Sequence, residues 1–189
     1  MTVATKFLES EIAYDGSQLA SLFAHRTAGI AGDSIVAFLG ACSVKIEHMV
    51  DAEDRRAGAT IYSPRMLHFI AEHFGERLEP MVWRQRLFAR LAGDRLAAAA
   101  KRAVSVRGDD LYLDQRGEKK ASISVATVSP SSGLFHFAIN VKTEGVPVPA
   151  IGLDELGVAP RPFADDLLAA YSRECDDVKL AAATVRWVP

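Results

Sequence analysis

The sequence predicts an α+β domain with a largely antiparallel, mixed sheet and flanking helices. Three observations carry this. Strand-like segments follow one another between residues 105 and 142, with turn residues between them as in hairpins. A helically spaced apolar pattern fills residues 78–103, and a second helical segment, 161–187, closes the chain. Strands and helices do not alternate as they do in a parallel βαβ sheet. The 189 residues suffice for one domain with a real core, and nothing in the pattern divides them, so 1–189 reads as a single domain.

Taken in order, Ile12–Tyr14 is a short strand candidate. In DGSQLASLFAHRTAG, Asp15 or Ser17 can cap a helix, Leu19, Leu22 and Phe23 give it an apolar face, and Gly29 can stop it. DSIVAFLG (33–40) is a buried strand ended by glycine. A short helix around Val50–Arg56 precedes a strand at Ala59–Tyr62. MLHFIAEHFG (66–75) suits a strand, yet Ser63-Pro64 before it also suits a helix start. Leu78, Val82, Leu87, Leu91 and Leu96 mark the long helix, with Glu76 and Glu79 favouring its beginning and Lys101 and Arg102 its end. In GLFHFAINVKTE, Leu134, His136 and Ala138 alternate with Phe135, Phe137 and Ile139, so the two sets face opposite sides of a sheet. The loop GVPVPAIGLDELGVAPRP carries no long helix.

Composition narrows the function. The chain is 49% hydrophobic and 24% charged, ordinary for a globular protein. A net charge of -2 gives no reason to expect a nucleic-acid partner. No apolar run approaches the roughly 20 residues of a membrane span. The N-terminal stretch lacks the pattern of a signal peptide, and Cys42 and Cys175 read as reduced thiols, so a cytoplasmic location is expected. Cys42, beside Ala41 and Ser43, reads as a small buried hydrophobe. His68 and His73 are five apart, which puts them on one face of neither a helix nor a strand, and no metal site is expected.

The segment GDDLYLDQRGEKKASISV, 108–125, asks for the most explanation. It reads as turn, strand, turn, strand, with Asp109 and Asp110 opening the first strand and Lys119 and Lys120 the second. Paired lysines at a strand start commonly protect a sheet edge. Arg55 and Arg56 have a similarly plain reading as surface partners of Glu53 and Asp54.

The same residues resemble a strand pair of biotin–protein and lipoate–protein ligases. There an N-D-apolar strand is followed by a turn and then by a lysine strand with small residues after the lysine. Asp109 to Asp114 matches the first strand, with Asp109 in place of asparagine. In the second, Lys119 falls on the family's catalytic lysine, and Ala121 and Ser122 on the small positions. His136-Phe137-Ala138-Ile139-Asn140-Val141 is similar to the H-x-G-apolar-apolar-N-apolar strand of these enzymes, and Arg55-Arg56-Ala57-Gly58 to their R-R-x-S-G-G-G loop, with one glycine kept.

The resemblance implies a biotin/lipoate ligase-like catalytic core of the class II synthetase-like superfamily. It implies a small carboxylic acid or acyl/nucleotide ligand, with ATP or AMP and Mg as the cofactors of adenylation and an unidentified acceptor protein. Lys119 would contact the acid's carboxylate and the phosphate. Arg55, Arg56, Gly58, Asp110, His136 and Asn140 would bind substrate or nucleotide. The octanoyl transferases' cysteine is absent from Pro149-Ala150-Ile151-Gly152. Across residues 12–157 the chain is also similar to a family described as domain of unknown function 366, in YDGSQL, EHMVD, MLHFI and LFHFAINVKTEG. The alternatives are a non-catalytic nucleotide- or metabolite-binding relative and a protein-interaction scaffold. Exposed strand edges would also permit a homodimer.

Overall fold

A computed structural model of the chain describes residues 2–113 and 118–188. Eight strands and five helices are described: β1 (Ala4–Phe7), α1 (Phe23–Ala28), β2 (Ser34–Val44), α2 (Ala52–Ala57), β3 (Ile61–Phe74), α3 (Leu78–Ala100), β4 (Ser105–Arg107), β5 (Asp110–Leu113), β6 (Lys119–Lys120), β7 (Ser122–Val128), β8 (Ser132–Lys142), α4 (Leu153–Leu156) and α5 (Pro160–Thr184). The main sheet has the order β1-β2-β3-β8-β7, with β1 and β2 parallel and the other pairs antiparallel. A small antiparallel sheet, β4-β5-β6, stands beside it. This is the α+β, largely antiparallel architecture expected from the sequence.

The helices α3 and α5 cover one face of the main sheet. Phe88 of α3 meets Phe69, Phe135, Phe137 and Tyr171, with ring centroids 5.1–5.4 Å apart. All five are buried, and the apolar area they remove from water is the main drive for closing this layer. The opposite face carries a smaller cluster around Tyr14, Phe23, Phe38, Met66 and Ile70.

Local chemistry explains where the sequence expectations shifted. The first strand is Ala4–Phe7, whereas Tyr14 makes only an isolated bridge to Cys42. The helix expected across residues 15–29 is confined to Phe23–Ala28. Its earlier half is diverted into tertiary hydrogen bonds: the Leu22 N–H donates to the Glu72 carboxylate at 2.9 Å, holding Leu22 at φ 64°. Gly29, at φ 68°, does stop the helix. Residues 61–74 form one long strand, and Pro64 starts no helix. Pro64 sits where both neighbouring ladders shift register, at Gly40/Cys42 and at Arg65/Met66, so its missing N–H breaks no regular pair. The turn expected after Leu113 falls on 114–117, outside the described residues.

Candidate functional site

A cavity of about 450 Å³ opens on the sheet face opposite α3 and α5. Tyr14, Met66, His136 and Asn140 line it from the main sheet and the segment before β2. Asp109, Asp110 and Lys120 come from the small sheet, and Asp51 and Asp54 from α2 and the residue that caps it.

Lys120 is fixed by its backbone on both sides. Its N–H donates to Pro149 O at 2.9 Å and its carbonyl accepts from Ile151 N at 3.1 Å, while Tyr112 is its partner on β5. On β5 the residues alternate, with Leu111 and Leu113 in the core and Asp110 and Tyr112 on the cavity side. Register with Tyr112 therefore puts Lys120 on the cavity side, and its Nζ lies 2.8 Å from Asp110 Oδ2. The small residues next to it also have a physical reason. Ala121 and Ser122 are fully buried where the chain passes from the small sheet to the main one. There the Ala121 N–H donates to Leu111 O and the Leu111 N–H donates to Ser122 Oγ, both at 2.8 Å. Bulkier side chains would separate the two sheets.

Under the cavity two histidines form a directed hydrogen-bond chain. His68 Nε2 lies 3.2 Å from Gly40 O, and His68 Nδ1 lies 3.0 Å from His136 Nε2. A carbonyl only accepts, so His68 carries its proton on Nε2. Burial holds His68 near pKa 4 and pushes His136 well below its ordinary value, so both rings are neutral. His136 must then donate from Nε2 to His68 Nδ1. Its own Nδ1 remains an acceptor, without a hydrogen-bond partner among the described residues. Tyr14 stacks on His136 with centroids 3.9 Å apart, and the His68 ring lies between Tyr14 and Phe38. Gly40 makes this possible: a Cβ there would stand 1.9 Å from Ile12 O, in the segment that delivers Tyr14.

Asn140 Nδ2 donates to Lys120 O at 3.4 Å, which leaves Oδ1 as a second acceptor at the cavity. Gln85 reaches through from α3 and donates to Asp109 Oδ2 and Ser124 Oγ, at 2.8 and 2.7 Å. Burial raises the Asp110 pKa, and the Lys120 ammonium opposes that rise. Cys42 is fully buried with its thiol pushed up to about 12, which leaves it no thiolate for chemistry.

Of the residues expected from sequence, Asp110, His136 and Asn140 come together at the cavity. Lys119 does not line it: opposite Leu113 on β5, its ammonium runs instead to Glu155, 3.8 Å away, with 44% of the side chain exposed. Of the two adjacent lysines, the register of β6 selects Lys120. Arg55, Arg56 and Gly58 are exposed on and after α2 and do not line the cavity either, whereas Asp51 and Asp54 of that turn do. Gly58 serves as the left-handed stop of α2, at φ 62°. Sequence reasoning missed Tyr14 and the link between His68 and His136, which are joined only through sheet register. It gave Asp109 no site role, although the adjacent acids of the turn before β5 were the signal. Among the described residues, no three histidines, cysteines or acids gather to hold a metal ion.

A solved structure described as a protein of unknown function from Pyrococcus horikoshi superposes with a TM-score of 0.93, at 40% identity over the whole of both chains. Biotin protein ligase from Aquifex aeolicus, solved with biotin and ATP, superposes with a TM-score of 0.56 at 12% identity, over 90% of this chain and 69% of that one. Protein Ta0514 of T. acidophilum, a candidate lipoate protein ligase with lipoic acid bound, gives 0.56 at 14% identity, over 91% and 85%. These two matches show the fold: a biotin/lipoate ligase-like α+β core. The uncharacterized protein MJ0805 of Methanocaldococcus jannaschii is 31% identical over 180 residues, 92% of this chain and 80% of that protein. The model of the family described as domain of unknown function 366 matches residues 3–186, nearly the whole of the fold and every residue that lines the cavity, and the chain belongs to that family.

Proposed function

We propose that the protein binds a small carboxylic acid in the cavity, with Lys120 as the cation that meets the carboxylate. The observation that carries this reading is the placement of Lys120. Its backbone is hydrogen-bonded to the loop before α4, its ammonium stands over a cavity of ligand size, and burial on the sheet strengthens its field. A lysine positioned in advance spends little conformational entropy on binding. The fold supports the reading, because the biotin ligase and Ta0514 structures that share it hold biotin and lipoic acid.

The α2 turn does not favour nucleotide activation of the acid. The α2 turn offers the cavity Asp51 and Asp54, while Arg55 and Arg56 do not line it, so a phosphate entering there would meet carboxylates.

The test is calorimetric titration with a panel of short carboxylic acids against the wild type, Lys120→Ala and Lys119→Ala. Loss of a charged hydrogen bond of about 1.5–3 kcal/mol should weaken binding roughly 10- to 100-fold in Lys120→Ala. Lys119→Ala should bind like wild type. Equal losses in the two variants, or no binding of any acid, would overturn the assignment.

A further inference from the structure

The charges around Lys120 narrow the ligand further. Resting on the carboxylate reading above, we infer that the ligand is an amino-bearing carboxylic acid, whose ammonium takes Asp110 while its carboxylate takes Lys120. Lys120 and Asp110 stand 2.8 Å apart, with side chains only 30% and 23% exposed. A plain acid that captures Lys120 would draw it from Asp110 and leave a half-buried carboxylate without its counter-charge. Removing one partner of a shielded pair costs more than the pair itself is worth. A ligand that brings its own ammonium replaces both halves at once, and no charge is stranded.

The rest of the lining points the same way. Asp109 stands beside Asp110, and Asp51 and Asp54 line the same cavity, whose described lining holds one ammonium, that of Lys120. His136, 2% exposed, lines the cavity, and its hydrogen-bond chain to His68 and Gly40 leaves Nδ1 as an unpartnered acceptor. Asn140, 4% exposed, offers Oδ1. Acceptors at the cavity wall that take no hydrogen bond from the described residues favour a ligand that brings N–H donors. A metal ion would be the other cation to suit carboxylates, but no three of the described residues converge as ligands.

The experiment uses matched pairs with the amino group next to the carboxylate, as the closeness of Asp110 to Lys120 requires: hexanoate against 2-aminohexanoate, and octanoate against 2-aminooctanoate, titrated calorimetrically in phosphate and in Tris. The amino acid of at least one pair should bind about tenfold or more tightly than its plain partner, as one charged hydrogen bond requires. Any binding of the plain acid should be accompanied by proton uptake, seen as a buffer-dependent heat, because Asp110 takes a proton when Lys120 leaves it. The amino acid should bind without uptake. In Asp110→Asn, close to isosteric, the preference should vanish while the plain acid still binds. Equal affinity within each pair would overturn the inference and leave the carboxylate reading standing. Binding of neither member of either pair would overturn both.

Discussion

On β3 and β8 alternate residues of the same two segments go to different environments. Leu67, Phe69, Phe135, Phe137 and Ile139 turn toward α3 and α5 and pack with Phe88 and Tyr171. Met66, His68, His136 and Asn140 turn toward the cavity side. Both sets are almost wholly buried, so the contrast is one of polarity. The helix face gains stability from apolar area in a dense aromatic cluster. The cavity face keeps neutral imidazoles and an amide out of water and partly shields an ion pair, each dependent on a specific partner. Polar groups gathered at the wall of a cavity, and not in a close-packed core, suit a ligand better than the domain's own packing.

The largest expected effect is on the helix face. Phe88→Ala removes the ring around which Phe69, Phe135, Phe137 and Tyr171 meet, and should lower stability by about 3–5 kcal/mol in urea unfolding. A loss below about 1 kcal/mol would mean that this cluster does not dominate folding.

Acid should act on both faces. His68 and His73 are held near pKa 4 by burial, and His136 is also depressed. The unfolded chain, with ordinary histidines near 6.5, then binds more protons than the native one. Stability is therefore complete above about pH 6.5 and falls as pH drops toward 4, by up to about 1.4 kcal/mol per pH unit for each histidine. Urea midpoints at pH 7 and pH 5 measure this. His73 hydrogen-bonds Tyr171 at 2.8 Å on the helix side, so His73→Gln should flatten the dependence by only one histidine's share. A midpoint unchanged between the two pH values would contradict the neutral His68–His136 chain.

A smaller effect separates the two lysines in stability as they are separated in binding. Lys119 and Glu155 are each nearly half exposed and 3.8 Å apart, so Lys119→Ala should change stability by no more than about 0.5 kcal/mol. A thermal shift of several degrees in that variant would give the Glu155 contact a weight its exposure does not explain.

Much of the fold was legible because it rests on local patterns. The alternation of residues 134–139 placed His136 opposite the phenylalanines, the spacing in 78–103 gave α3, and Gly29 marked a helix end. The helix expected at 15–29 was mostly lost because its backbone found a partner fifty residues away in Glu72, which no local pattern records. Pro64 left residues 66–75 open between strand and helix because a register shift in two neighbouring strands is invisible from one strand alone.

The candidate site divides along the same line. The sequence by itself determined that two adjacent lysines on a strand must point to opposite sides, with small residues behind them, because side chains alternate along any strand. It also brought Asp110, His136 and Asn140 forward as residues that belong together. Only the tertiary structure decided which lysine meets them. Pairing Lys120 with Tyr112 and Lys119 with Leu113 fixes the faces, and a slip of one residue would exchange the two lysines. Backbone hydrogen bonds from Lys120 to Pro149 and Ile151, some thirty residues on, hold that strand in place, and the fold likewise brings Asp51 and Asp54, and not Arg55 and Arg56, to the cavity.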